Sequence, residues 1–143
     1  MSNTKTQYLL ELTSEQVQLV ERALDTYSRI LAGELDEVAV VLKHNHNFEK
    51  KEENPIPWEN MLLLEDRLSD LKHLMGLERN SNHGIFSHKI SDNARKAYDI
   101  LKTIAHWRYI NEIKGKGTWV HWFDEPTKTS FDKEFELPKV TVK

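Results

Sequence analysis

The chain of 143 residues has no cysteine, which excludes a disulfide framework and any thiolate metal site. It has no long apolar run. The stretch Met61-Leu62-Leu63-Leu64 is among the longest, far short of the roughly 20 residues a membrane-spanning helix needs. The start, Met1 to Gln7, is polar and no apolar segment of the secretory type follows it, so a cytoplasmic location is expected. A basic excess is also missing. The formal net charge is −3, which argues against a non-specific nucleic-acid binder but leaves a local basic pocket for a small anion open. No phosphate-binding loop, dinucleotide fingerprint, G-x-S-x-G elbow or helical H-E-x-x-H occurs. What is present, 38% hydrophobic and 30% charged residues, suits one folded domain over residues 1–143.

Hydrophobic spacing predicts a mainly helical α+β fold of three to four helices with a small antiparallel sheet. Residues 7–12 read as a strand. Thr13 then caps a helix, with Gln16 completing a capping box. Behind it Val17, Val20, Leu24, Tyr27, Leu31, Leu35, Val38 and Leu42 form one helical stripe, interrupted by a break near Gly33. Residues 43–57 read as an irregular loop. Pro57 opens a helix running to about Met75, along the stripe Met61, Leu64, Leu68, Leu71 and Met75, with Gly76 as its left-handed cap. A connection over 76–90 leads to Ser91, which caps the last helix. The stripe Ala94, Ala97, Leu101, Ile104, Trp107 and Ile110 carries that helix to about Lys114, and Gly115 and Gly117 stop it. Residues 118–123, β-branched and aromatic, read as the strand that pairs with 7–12. The tail, 124–143, reads as irregular apart from a short strand at 140–142. A two-stranded sheet is marginal alone, and the regular stripes suit packing between chains, so a homo-oligomer is expected.

Catalytic chemistry has little support: no nucleophile has a recognisable partner, and no catalytic residue or cofactor is assigned. His44 and His46 share one side of an extended segment, but histidines in a polar loop are ordinarily solvated, and no metal ligand is assigned. The last helix is more informative. Arg95, Asp99, Lys102 and His106 fall on one polar face. They form either a wet surface with an i,i+4 bridge between Arg95 and Asp99, or a basic wall for an anionic ligand, since the guanidinium fork grips phosphate with two hydrogen bonds. The preceding loop adds Asn82, Phe86 and His88, amide, aromatic and imidazole groups of the kind a nucleobase pocket uses, although Phe86 equally suits the core. On the 118–123 strand Trp119 and Phe123 share one face and Trp122 the other; one face covers the helices, and the other needs shelter, from a partner chain before a ligand.

Three segments carry a resemblance. They are Ala23 to Arg29 with Gly33-Glu34-Leu35-Asp36-Glu37-Val38, then Gly84-Ile85-Phe86-Ser87 with Ala94 to Ile100 and Ile104-Ala105-His106, and Val120-His121-Trp122 with the proline-containing tail. Together these resemble a group of small proteins of tailed bacteriophages. Such proteins resemble in turn the Thoeris anti-defence proteins, which sequester cyclic ADP-ribose isomers made by TIR-domain enzymes without cleaving them. The resemblance implies a binding protein of the host cytoplasm that holds a nucleotide immune signal. Arg29, Arg95 and His106 would then face phosphates, and Phe86 and Asn82 the base, with His88, Asp99 and Lys102 beside them. The 43–57 loop departs from that pattern. The alternatives are a protein–protein interaction or regulatory protein without a small ligand, and a hydrolase of a nucleotide signal.

Overall fold

A computed structural model describes residues 5–46, 56–113 and 126–143. Among these residues four α-helices are present, α1 (Ser14–Leu31), α2 (Glu37–Asn45), α3 (Trp58–Leu71) and α4 (Asp92–Arg108). None is long and apolar enough to cross a membrane.

The helix ends follow local chemistry. At the start of α1 the Gln16 N–H donates to Thr13 Oγ1 at 3.3 Å, and the Thr13 N–H donates to Gln16 Oε1 at 2.8 Å, the reciprocal pair of a capping box. The helix stops at Leu31 because Gly33 turns the chain at φ +97°, a conformation that costs a Cβ-bearing residue about 1–2 kcal/mol. The break expected near Gly33 is therefore real, and α2 restarts the stripe four residues later. Pro57 is the residue before the first turn of α3, which tightens into a 3₁₀ turn over Lys72–Met75 and ends on left-handed Gly76 (φ +73°). Ser91 caps α4 by accepting from the Asn93 N–H at 3.1 Å, and α4 widens into a π-helical turn over Tyr109–Ile113.

The packing differs from the stripes. α1 lies against α4 in the most extensive helix contact, and α2 packs on both α1 and α3. Between α1 and α4 the buried residues are small or charged: Glu21, Ser28, Ala32, Ala94 and Ala97. Small side chains let the two backbones come close, and the Ser28 hydroxyl donates to the Ala94 carbonyl at 2.9 Å. Arg108 pairs with Glu21 at 2.8 Å further along the same contact. Tyr27, on the expected stripe, is exposed, as are Val38, Leu71, Met75, Trp107 and Ile110. Met61 and Ala39 are fully buried where α3 meets α2, and two ion pairs, Lys43–Glu65 and Lys72–Asp36, join the same region.

The small antiparallel sheet is overturned. Among the described residues there is no strand, so the fold is helical rather than α+β. Residues 7–12 are irregular, with Tyr8, Leu9 and Leu10 exposed at 84%, 98% and 78%. Their β-favouring composition could not decide the matter, because a strand exists only with a partner, and three consecutive apolar residues lack the alternation that marks a half-buried one. Side chains instead tie this segment to the tail: Lys5 Nζ donates to the Glu134 carbonyl at 2.7 Å and Glu11 pairs with Lys143. The described part of the tail, 126–143, is irregular as expected, without the short strand at 140–142. The expected strand 118–123, the stops at Gly115 and Gly117, the Trp119, Trp122 and Phe123 cluster and most of the 43–57 loop lie outside the described residues. Within 43–46, α2 continues to Asn45.

Gly33 offers a direct check of the α1–α2 turn. An added Cβ would meet the Leu77 side chain as well as forcing an unfavourable φ. Gly33→Ala should destabilise the protein by about 1–2 kcal/mol in chemical denaturation. Gly76→Ala, with a positive φ but open space around it, should lose less.

Candidate functional site

The polar face of α4 is buried beneath the tail. Arg95 is 2% exposed, and its guanidinium is engaged on every side. Nε donates to Asp92 Oδ1 at 2.6 Å, Nη1 to the carbonyls of Ile85 and Ser87 at 3.0 and 2.9 Å, and Nη2 to the carbonyl of Ile90 at 3.3 Å. The group lies 3.8 Å from the centroid of the Phe131 ring, which also stacks on His88 at 4.9 Å. Arg95 thus clamps the 85–90 loop to the helix and seats an aromatic residue of the tail.

One helical turn further on, Asp99 has no exposed surface. Its carboxylate accepts from the Thr129 N–H at 2.8 Å, the Thr129 hydroxyl at 2.6 Å and the Ser130 N–H at 3.0 Å. Lys102 lies 3.7 Å away and donates to the Thr127 carbonyl at 2.6 Å. The i,i+4 bridge between Arg95 and Asp99 does not form. Arg95 turns back to Asp92, and Asp99 turns to Lys102 and the tail. Asp92 completes the latch by accepting from the N–H groups of Phe131 and Asp132 at 2.8 and 3.2 Å. The Ser130 hydroxyl, buried beside them, has no hydrogen-bond partner among the described residues.

Electrostatics follow the geometry. Burial lowers the Lys102 ammonium from its ordinary value, against the pull of Asp99. Burial pushes the Asp92 carboxyl up, but the Phe131 N–H, Arg95 and the Asp132 N–H outweigh it and hold the group below its ordinary range. Asp132 is likewise lowered, first by its bond to Lys96.

The other sequence-predicted residues lie apart from this latch. Arg29 pairs with Asp25 at 3.0 Å and with Glu34 at 3.1 Å. Asn82 donates to the second oxygen of Glu34 at 2.8 Å and accepts from the Gly84 N–H at 2.9 Å. Glu34 therefore brings Arg29 and Asn82 together. The surroundings are acidic: burial raises the Glu37 carboxyl, Asp25, Glu34 and Asp36 add to the rise, and Arg29 opposes it. Burial works against the Arg29 charge too, but Glu34 and Asp25 outweigh it and raise the group further above its already high value. Phe86 is 65% exposed, and His106 meets the edge of Trp107 at 5.4 Å. His46 Nδ1 lies 2.7 Å from the Leu42 carbonyl, and no cluster of three metal-ligating side chains exists among the described residues.

Sequence reasoning missed the tail. Thr129, Ser130 and Phe131 sit in a segment read as irregular, which it is, and nothing in its local pattern points to a distant helix.

The latch makes two checkable statements. Asp99→Ala leaves the Thr129 and Ser130 N–H groups and Lys102 without their buried acceptor and should cost about 3–5 kcal/mol, whereas Ser130→Ala should be neutral or slightly stabilising; thermal unfolding of both variants reads the contrast. Asp92 is depressed in the folded chain, so its contribution is complete above the unfolded value of 3.8 and is lost as pH falls through the lower folded value. The stability difference between wild type and Asp92→Asn should hold steady at neutral pH and shrink below that value in acid titrations followed by circular dichroism.

No known family model matches the chain, and no curated protein or solved structure is significantly similar to it.

Proposed function

We propose that the chain is a non-catalytic binding protein that holds another protein, and that its exposed apolar N-terminal segment is the contact. The observation carrying this reading is the exposure of Tyr8, Leu9 and Leu10 on an irregular segment tied near both ends, at Lys5 and Glu11. Single exposed leucines are ordinary, but three consecutive large apolar residues are an unfavourable surface for water. An extended segment can supply main-chain hydrogen bonds to a sheet edge while its side chains enter pockets. The polar face of α4 gives an anionic ligand less support, because Arg95, Asp99 and Lys102 are already spent on the protein itself. A second copy of the chain is one such partner, in line with the expected homo-oligomer.

The nucleotide-sequestering reading keeps one specific observation in its favour. Arg29, exposed on α1, and Asn82 share Glu34, and the exposed Phe86 lies on the same loop as Asn82. On that reading the protein acts in the cytoplasm of an infected cell, and a phosphate takes the place of Glu34 on Arg29.

One experiment separates the two. A photo-crosslinking amino acid in place of Leu9 should give a protein adduct of defined mass in the native host, and Leu10→Asp should abolish it. No adduct, together with an intact nucleotide released when the purified protein is heated and lost in Arg29→Ala, would replace the first reading with the second.

A further inference from the structure

We infer that the polar face of α4, with the 85–90 loop beside it, is a peptide seat that the chain's own tail fills, and that a segment of like chemistry and backbone path can exchange with that tail. The inference does not depend on the N-terminal segment being a docking surface.

Recognition of the tail runs mainly through its backbone. Four consecutive N–H groups, from Thr129 to Asp132, donate to Asp99 and Asp92, and the Thr127 carbonyl accepts from Lys102. Contacts of this kind accept any segment that follows the same backbone path, with its bend at position 131, and set its direction. Selectivity falls on three side chains: the Thr129 hydroxyl on Asp99, the Phe131 ring between the reach of Arg95 and His88, and the Asp132 carboxylate on Lys96 at 2.9 Å. The ligand class is therefore a peptide that bends at an aromatic residue, with a hydroxyl residue two positions before it and an acid immediately after it.

Contacts that do not involve the tail hold the frame of the seat. Arg95 is fixed by Asp92 and by the carbonyls of Ile85, Ser87 and Ile90. The opposite side of α4 is anchored to α1 through Ser28 and through the Glu21–Arg108 pair. Removing the tail would leave Asp99 with Lys102 as its charged neighbour and its other acceptor sites open. An incoming segment that restores those hydrogen bonds is thus favoured, and the resident tail acts as a tethered competitor. Tethering of this kind gives an effective concentration of order millimolar, which an untethered peptide must match.

The test uses the full chain and a fluorescein-labelled synthetic peptide of residues 126–136, with binding read by fluorescence anisotropy. The Phe131→Ala chain, whose tail is weakened, should bind the peptide at least about tenfold more tightly than wild type. The same peptide carrying Phe131→Ala should bind that chain about tenfold more weakly, a difference of roughly 1.4 kcal/mol. Adding Asp99→Asn to the Phe131→Ala chain should remove binding. In the wild-type chain, which is free of any folding defect, excess peptide should speed hydrogen exchange at the amides of residues 129–132. A natively helical Phe131→Ala chain that takes up no peptide at millimolar concentration would overturn the inference, as would unchanged exchange at those amides in wild type.

Discussion

A carboxylate with no exposed surface must find its hydrogen bonds inside the protein, and Asp99 finds three of them on a segment thirty residues away in the chain. Burying that charge without partners would cost several kcal/mol. The tail is therefore held in place by α4 as much as it covers it. Geometry makes the arrangement self-consistent. From Asp92 to Asp99 the helix rises about 10 Å, and the two to three tail residues between their contacts reach at most about 7–10 Å. The tail runs against the helix direction, so Thr129 and Ser130 reach Asp99 while Phe131 and Asp132 reach Asp92. A one-residue slip would misplace both sets of donors together.

The rest of the interior shows the same economy of large apolar groups. Met61 and Asp99 are the largest fully buried side chains described. Alanine and serine line the α1–α4 contact, and charged residues fill positions that leucine would occupy in a thicker core. Close approach of small residues yields dispersion contacts but little apolar area per residue, so the hydrophobic term is modest. Buried polar groups then decide register: Ser28 on the Ala94 carbonyl and Glu21 on Arg108 each accept one relative placement of the two helices. Such groups add specificity more dependably than stability, since their desolvation offsets much of their attraction.

This division explains what could be read from the sequence. The capping box at Thr13, the break at Gly33, the left-handed cap at Gly76 and the cap at Ser91 all depend on a few adjacent residues, and all are where local chemistry puts them. The strand at 7–12 was misread because pairing is a long-range event that composition does not encode. The apolar stripes located the helices but not the contact residues: Glu21 and Ser28 are buried while Tyr27 is exposed. At the candidate site, the grouping of Arg95, Asp99 and Lys102 on one face was legible from spacing. Their partners were not, because those partners lie in a tail that has no periodicity to reveal which helix it meets.

Burial also limits what the named residues can do. Arg95 donates in four directions and stacks on Phe131, so a phosphate approaching it would have to displace carbonyls already held at hydrogen-bond distance, and gain would be set against equal loss. Arg29 is exposed, but Asp25 and Glu34 compete there for the same ligand role. A peptide meets a different situation at α4, because it brings the same donors and the same ring that the tail already supplies. Exchange of like for like leaves neither the Asp92 nor the Asp99 carboxylate unpaired at the end, whereas a phosphate would leave the Asp99 carboxylate without the N–H groups it accepts from. The charge that makes this face resemble an anion site is therefore what selects a polypeptide over an anion.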